Sequence, residues 1–305
     1  MLEINIFHWI GFIIIILILL IIDLGVFNRK SHVISYKEAL IWTAVWIILA
    51  LIFNLFVYMF YGKDKAIEFF TGYLIEKSLS VDNIFVFVLL FTYFNVNKKY
   101  HHRVLFWGIL GAIIFRGILI FIGTALIYKF HWIIYIFGGF LVISGIKMGF
   151  QKDNKLEPEK NPVVKLLRKF LPITPRYVKS AFFYRSHGKL YATPLIIVLA
   201  VIETTDLIFA FDSIPAILAI SHDPFIVFTS NIFAILGLRA LYFAVDKFID
   251  KFTYLKYGLS VILIYIGIKM LISELYKIPT LISLGILIFV LTISVLVSVF
   301  KKRNN

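Results

Sequence analysis

Apolar residues fall along this chain in uninterrupted blocks, with neither the alternation of a half-buried strand nor the narrow stripe of a surface helix. Nine blocks stand out, at about 4–27, 39–60, 66–95, 103–127, 131–150, 192–220, 224–246, 254–272 and 279–300. A helix of about 20 residues crosses roughly 30 Å of hydrocarbon. It also satisfies its own backbone hydrogen bonds where no water can. The pattern therefore predicts an all-α fold, a polytopic transmembrane helical bundle of about nine spans forming a single membrane domain over 1–305. The first block is too long for a secretory signal and lacks a basic n-region or a small-residue cleavage site, so it is expected to be a retained span.

Composition excludes a soluble reading: 61% of the 305 residues are hydrophobic and 16% charged, against about half and a quarter in soluble domains. There is no Cys, which removes disulfides and thiolate metal sites. The net charge of +14 is assigned to basic loops at the cytoplasmic face, with no nucleic-acid partner. Basic residues concentrate after odd-numbered blocks, at Arg29, Lys30 and Lys37, at Lys98, Lys99 and Arg103, and at Lys247, Lys251 and Lys256. Segment 151–190 adds ten Lys or Arg against three acids. The positive-inside rule then places the N-terminus outside and the C-terminus in the cytoplasm. Four prolines (158, 162, 172, 175) and the charge stop 151–190 from spanning. Two readings stand for it: a short amphipathic helix around Val163–Phe170 on anionic lipid, or a solvated cytoplasmic connector.

The chain carries one unit twice. Asp82-Asn-Ile-Phe-Val-Phe87 matches Asp206-Leu-Ile-Phe-Ala-Phe211, Arg116 matches Arg239, and Gly145-Ile-Lys-Met148 matches Gly267-Ile-Lys-Met270, at offsets of 124, 123 and 122. The first repeat is placed at 66–150 (spans 3–5) and the second at 191–272 (spans 6–8). Three spans per unit make the second copy inverted, an architecture that sets transport sites near the midplane between the halves.

Charge within a span costs about 2.5–3.5 kcal/mol per group on insertion scales, so such residues mark function or pairing. The third span holds Glu76, Lys77, Ser78, Ser80, Asp82 and Asn83; the sixth holds Glu203, Thr204, Thr205, Asp206, Asp212 and Ser213. Asp23 stands near the end of the first span, Arg116 in the fourth and Arg239 in the seventh. Glu203, Asp206 and Ser213 share a helical stripe, and Glu76 shares a face with Asn83. Asp212 and Asp82 fall off these stripes; a kink at Pro215 and an unwinding around Ser78–Ser80 would bring them in. The arginines read either as buried ion pairs holding helices in register or as part of the site. Five acids in two windows exceed the two deep arginines, leaving charge for protons or cations to balance. Carboxylate, amide and hydroxyl oxygens suit a hard divalent cation. The seven histidines lie in loops or near span ends and read as surface residues. Lys147 and Lys269 are expected to snorkel, and Lys77 to form a salt bridge.

Three segments carry a family resemblance: Asp23-Leu-Gly-Val-Phe with Ser35-Tyr-Lys-Glu-Ala-Leu40, Glu76-Lys-Ser-Leu-Ser-Val-Asp-Asn83, and Glu203-Thr-Thr-Asp-Leu-Ile-Phe-Ala-Phe-Asp-Ser-Ile-Pro-Ala216. At these residues the chain resembles the TerC family of bacterial integral membrane proteins, within the superfamily of LysE-type exporters. The resemblance implies the bacterial cytoplasmic (inner) membrane, manganese efflux, metal stress and a historical link to tellurite resistance. It also implies Glu76, Asp82, Glu203, Asp206 and Asp212 as transport acids, with Asn83 and Ser213 beside them. The expected function is export of a divalent cation, Mn²⁺ first, by alternating access, with protons as a candidate counter-ion and no permanently bound cofactor. The alternative is a membrane scaffold or assembly factor serving stress resistance. No nucleophile–base constellation or phosphate-cradling loop points to an enzyme.

Overall fold

The computed structural model describes residues 6–22, 34–130, 132–150, 162–170, 172–174, 177–178, 180–186, 189–246 and 254–301. Asp23 and the side chain of Asp82 lie outside the described residues. The chain is an all-α membrane bundle. Its helices are α1 (Ile6–Ile22), α2 (Tyr36–Tyr61), α3 (Lys63–Tyr93), α4 (Lys98–Lys129), α5 (Ile133–Phe150), α6 (Pro162–Phe170), α7 (Pro194–Leu218), α8 (Pro224–Leu236), α9 (Leu238–Val245), α10 (Leu255–Leu271) and α11 (Thr280–Lys301). Each of the nine apolar blocks carries a helix, the seventh two, α8 and α9. Among the described residues, six segments are long and apolar enough to cross a membrane: α2, α4, α5, α7, α8 with α9, and α11.

Local chemistry sets the boundaries. Ser35 opens α2 with a reciprocal capping box: its hydroxyl accepts the Glu38 N–H at 3.3 Å, and the Glu38 carboxylate accepts the Ser35 N–H at 3.4 Å. Gly62, at φ 93°, turns the chain from α2 into α3, a conformation that disfavours any side chain. Asn97 caps α4, and Asp223 caps α8 ahead of Pro224 at its first position. α3 has 31 residues without a break, about 46 Å at the helical rise. The expected unwinding at Ser78–Ser80 is thus absent. Ser78 donates to the Leu74 carbonyl (2.6 Å) and Ser80 to the Glu76 carboxylate (3.3 Å), so both hydroxyls are satisfied on an intact helix.

α8 and α9 form the centre: every residue from Thr229 to Ala240 is buried. They break at Gly237, where the Lys77 ammonium donates to the Ala234 carbonyl at 3.2 Å. Lys77 therefore supplies a donor and a positive charge at the C-terminus of α8 in place of the expected salt bridge. A Cβ at Gly237 would stand 2.6 Å from that nitrogen. α3 packs on α8, α4 on α7, and α5 on α10. α1 seals one flank through an aromatic cluster, with Trp9 and Phe12 against Phe225 and Phe228. The outer faces of α1, α2 and α11 expose Ile, Leu and Phe, as lipid contact requires.

Within segment 151–190, the described residues include the short helix expected around Val163–Phe170. In this helix, α6, Val164 is buried and the helix packs on α7. A two-stranded antiparallel hairpin follows, β1 (Phe183–Ser186) with β2 (Lys189–Ala192). The segment is fastened to the bundle: Tyr177 donates to the Phe94 carbonyl at 2.6 Å and Arg103 to the Ser180 hydroxyl at 3.0 Å. Burial raises the Tyr177 phenol above its ordinary pKa, so it stays a donor.

Two further expectations are corrected. His101 is buried, stacked on Phe91 with ring centroids 4.0 Å apart and hydrogen-bonded to the Val96 carbonyl and the Tyr242 hydroxyl. Lys269 does not snorkel; it is buried and donates to Ser283 on α11 at 3.0 Å. In both cases a neighbouring element covers a helix end that the sequence leaves open.

Candidate functional site

Four helices converge on one guanidinium. Arg116, 1% exposed in the middle of α4, grips Asp206 of α7 with two parallel hydrogen bonds, Nε to Oδ2 at 3.1 Å and Nη2 to Oδ1 at 2.8 Å. Its Nη1 pairs with Oε1 of Glu76 on α3 and donates to Ser213 on α7 (3.2 Å) and Asn231 on α8 (3.3 Å). Asn83, two turns along α3 from Glu76, donates to Asp206 Oδ1 at 3.0 Å. The Glu76–Asn83 face of α3 and the Asp206–Ser213 stripe of α7 therefore close on a common point.

Pairing there is incomplete. Arg116 bonds two buried carboxylates, while Lys77, the neighbouring cation on α3, donates to the Ala234 carbonyl, and a buried ion without full compensation is costly. Glu76 is 1% exposed, yet its Oε2 has no hydrogen-bond partner among the described residues. Beside it lies a cavity of about 10 Å³, close to one water-sized sphere, lined by Glu76, Asn83, Arg116, Asp212 and Ser213 on its polar side and by Leu79, Met148 and Phe209 on its apolar side. Asp212 reaches its rim although α7 continues as helix through Pro215; Ser144 on α5 donates to its Oδ1 at 2.8 Å.

The other predicted residues separate from this point. Glu203 lies over Gly111 of α4, where any side chain would collide with it; its Oε2 is buried with no hydrogen-bond partner among the described residues, and it does not line the cavity. The Ser78 and Thr205 hydroxyls turn back to carbonyls of their own helices, and Ser80 bonds Glu76. Arg239 is buried on α9, outside the Arg116 cluster. Among the described residues, no three His, Asp or Glu side chains stand close enough together to hold a metal by themselves. The donor set is mixed: two carboxylates, an amide and a hydroxyl, with a third carboxylate at the rim. Asn231 and Ser144 did not emerge from the sequence. The polar run Thr229-Ser230-Asn231 in an otherwise apolar span was the available signal for the first; a lone serine gave none for the second.

Comparison with known proteins fits this arrangement into a family. The chain is 49% identical over 296 residues to the "Uncharacterized membrane protein STKORF319" of Myxococcus xanthus, covering 97% of this chain and 93% of that one. It is 46% identical over 306 residues to the "Putative membrane-bound redox modulator Alx" of Escherichia coli K12, covering 97% and 95%. It is 44% identical over 295 residues to an "Uncharacterized membrane protein" of Rickettsia bellii, covering 97% and 98%. No solved structure matches the chain. Residues 61–305 match the family described as "Integral membrane protein TerC family", which takes in both the Arg116 cluster and the helices that build it; the chain belongs to the TerC family.

Proposed function

We propose that this multi-pass membrane protein exports a hard divalent cation, Mn²⁺ first, across the bacterial inner membrane by alternating access. The observation that carries the reading is the meeting of Glu76 and Asp206, one carboxylate from each half of the chain, at one buried point with an unsatisfied carboxylate oxygen and a small cavity beside it. Oxygen donors of this kind suit Mn²⁺, Mg²⁺ or Ca²⁺. In this reading Glu76, Asp206, Asp212, Asn83 and Ser213 face the ion. Asp82 and Glu203 are the two further transport acids of the reading, Glu203 placed over Gly111.

Reciprocal packing supports two inverted units. α3 meets α8 as α4 meets α7, each unit's first helix on the other's second. At the α5–α10 contact, Gly138 faces Gly267 while Gly145 faces Ser260. At the repeat offset of 122, Gly267 corresponds to Gly145 and Ser260 to Gly138, so both contacts are the same one seen from each side. A two-fold relation generates that reciprocity.

The redox role in the Alx name reaches this chain only through metal in this reading, since a sequence with no Cys has no thiol–disulfide chemistry. Cellular manganese after overexpression tests the proposal: the wild type lowers it, and Asp82→Ala and Asp206→Ala do not. Equal metal content in all three defeats transport and favours a scaffold.

A further inference from the structure

We infer that the Arg116 guanidinium is a tethered stand-in for the transported cation, occupying the carboxylates whenever the ion is absent. The inference rests on the transport reading above. Arg116 holds the sites a divalent ion would take: both oxygens of Asp206, one oxygen of Glu76 and the Ser213 hydroxyl. A buried arginine placed only to lock helices would leave its partners fully hydrogen-bonded. Here Arg116 bonds two carboxylates, Lys77 donates elsewhere, to the Ala234 carbonyl, and Glu76 Oε2 is left buried with no hydrogen-bond partner among the described residues. A divalent cation would neutralise both carboxylates. The cavity has room for about one water-sized sphere next to the guanidinium, enough for an incoming ion to contact Glu76 before Arg116 leaves Asp206.

Ion and guanidinium then compete for the same oxygens. Arg116 gives the ion-free carrier the charge it needs to turn over without an exposed buried anion. Its return to Asp206 helps expel the ion. The cost is affinity: a site that its own side chain fills for 90–99% of the time binds ligand roughly 10- to 100-fold more weakly than the open site.

Mn²⁺ binding to purified full-length protein, read by titration calorimetry, and Mn²⁺ flux in proteoliposomes test this together. Arg116→Ala binds Mn²⁺ at least about tenfold more tightly than wild type and transports it more slowly, with a lower KM and a lower kcat. Guanidinium ion added below denaturing concentration weakens binding in Arg116→Ala back towards the wild-type value and leaves the wild type unchanged. Should Arg116→Ala not fold, Arg116→Lys keeps the charge but not the forked grip, and binds more tightly than wild type by a smaller factor. Unchanged or weaker binding in the folded variant overturns the tether while leaving the transport reading intact, provided Glu76→Gln and Asp206→Asn still abolish wild-type binding. If those two variants change nothing, the transport reading fails and the tether with it.

Discussion

The α5–α10 contact and the Arg116 cluster both join helices from before residue 151 to helices from after residue 190, by opposite means. At α5–α10 the backbones touch: a Cβ on Gly138 would stand 3.0 Å from the Gly267 carbonyl, and one on Gly267 would stand 2.7 Å from the Gly138 carbonyl. Small residues are what allow that approach in lipid, where no hydrophobic force draws helices together. Around Arg116 the helices are held apart by side chains and joined by charge-assisted hydrogen bonds. Dispersion between backbones has no alternative partner, so the glycine contact has one arrangement. Carboxylates can exchange one cation for another. The glycine seam therefore suits a fixed joint between the halves, and the arginine cluster the part that changes.

Substitutions can break that contrast at either end. The largest effect belongs to Asp206→Ala, which removes two of the five hydrogen bonds of Arg116 and one of its two carboxylates: a loss of about 3–5 kcal/mol of stability in detergent unfolding, together with loss of Mn²⁺ flux. A stability loss under about 1 kcal/mol would mean that the cluster is hydrated and not buried. Next comes Gly138→Ala, expected to cost about 1–3 kcal/mol by forcing α5 off α10, with Mn²⁺ binding unaltered. A changed affinity there would show the seam to be part of the moving element. Smallest is Gly139→Ala, one residue along, whose Cβ meets nothing within 4 Å; it stays neutral or gains up to about 1 kcal/mol from helix propensity. Equal effects at 138 and 139 would dissolve the proposed seam.

Much of this was legible along the chain. Glu76 with Asn83, and Asp206 with Ser213, share faces by spacing alone, and the structure turns both faces to Arg116. Spacing could not tell that Glu203, on the same stripe as Asp206, would end over Gly111 outside the cavity. Nor could it tell that Asp212, off the stripe, would reach the rim without a break in α7. A stripe fixes direction, but distance along it decides which partner a side chain meets. Five acids against two arginines left charge for protons or cations to balance; in the fold a single arginine serves two of the acids, and Glu76 and Glu203 each keep a buried oxygen with no hydrogen-bond partner among the described residues.

By itself the sequence determined that the chain is a helical membrane bundle, about where its apolar helices lie, and which polar residues are too costly to be incidental. Those properties are local: hydrophobic length, caps and insertion cost add up residue by residue. Tertiary structure alone decided that Arg116 bridges α3 and α7, that Lys77 caps α8, that Lys269 and His101 are covered, and that α6 and Tyr177 of the basic segment pack on the bundle. Each of these depends on contacts between residues far apart in the chain, for which a one-dimensional pattern carries charge and spacing but no distance.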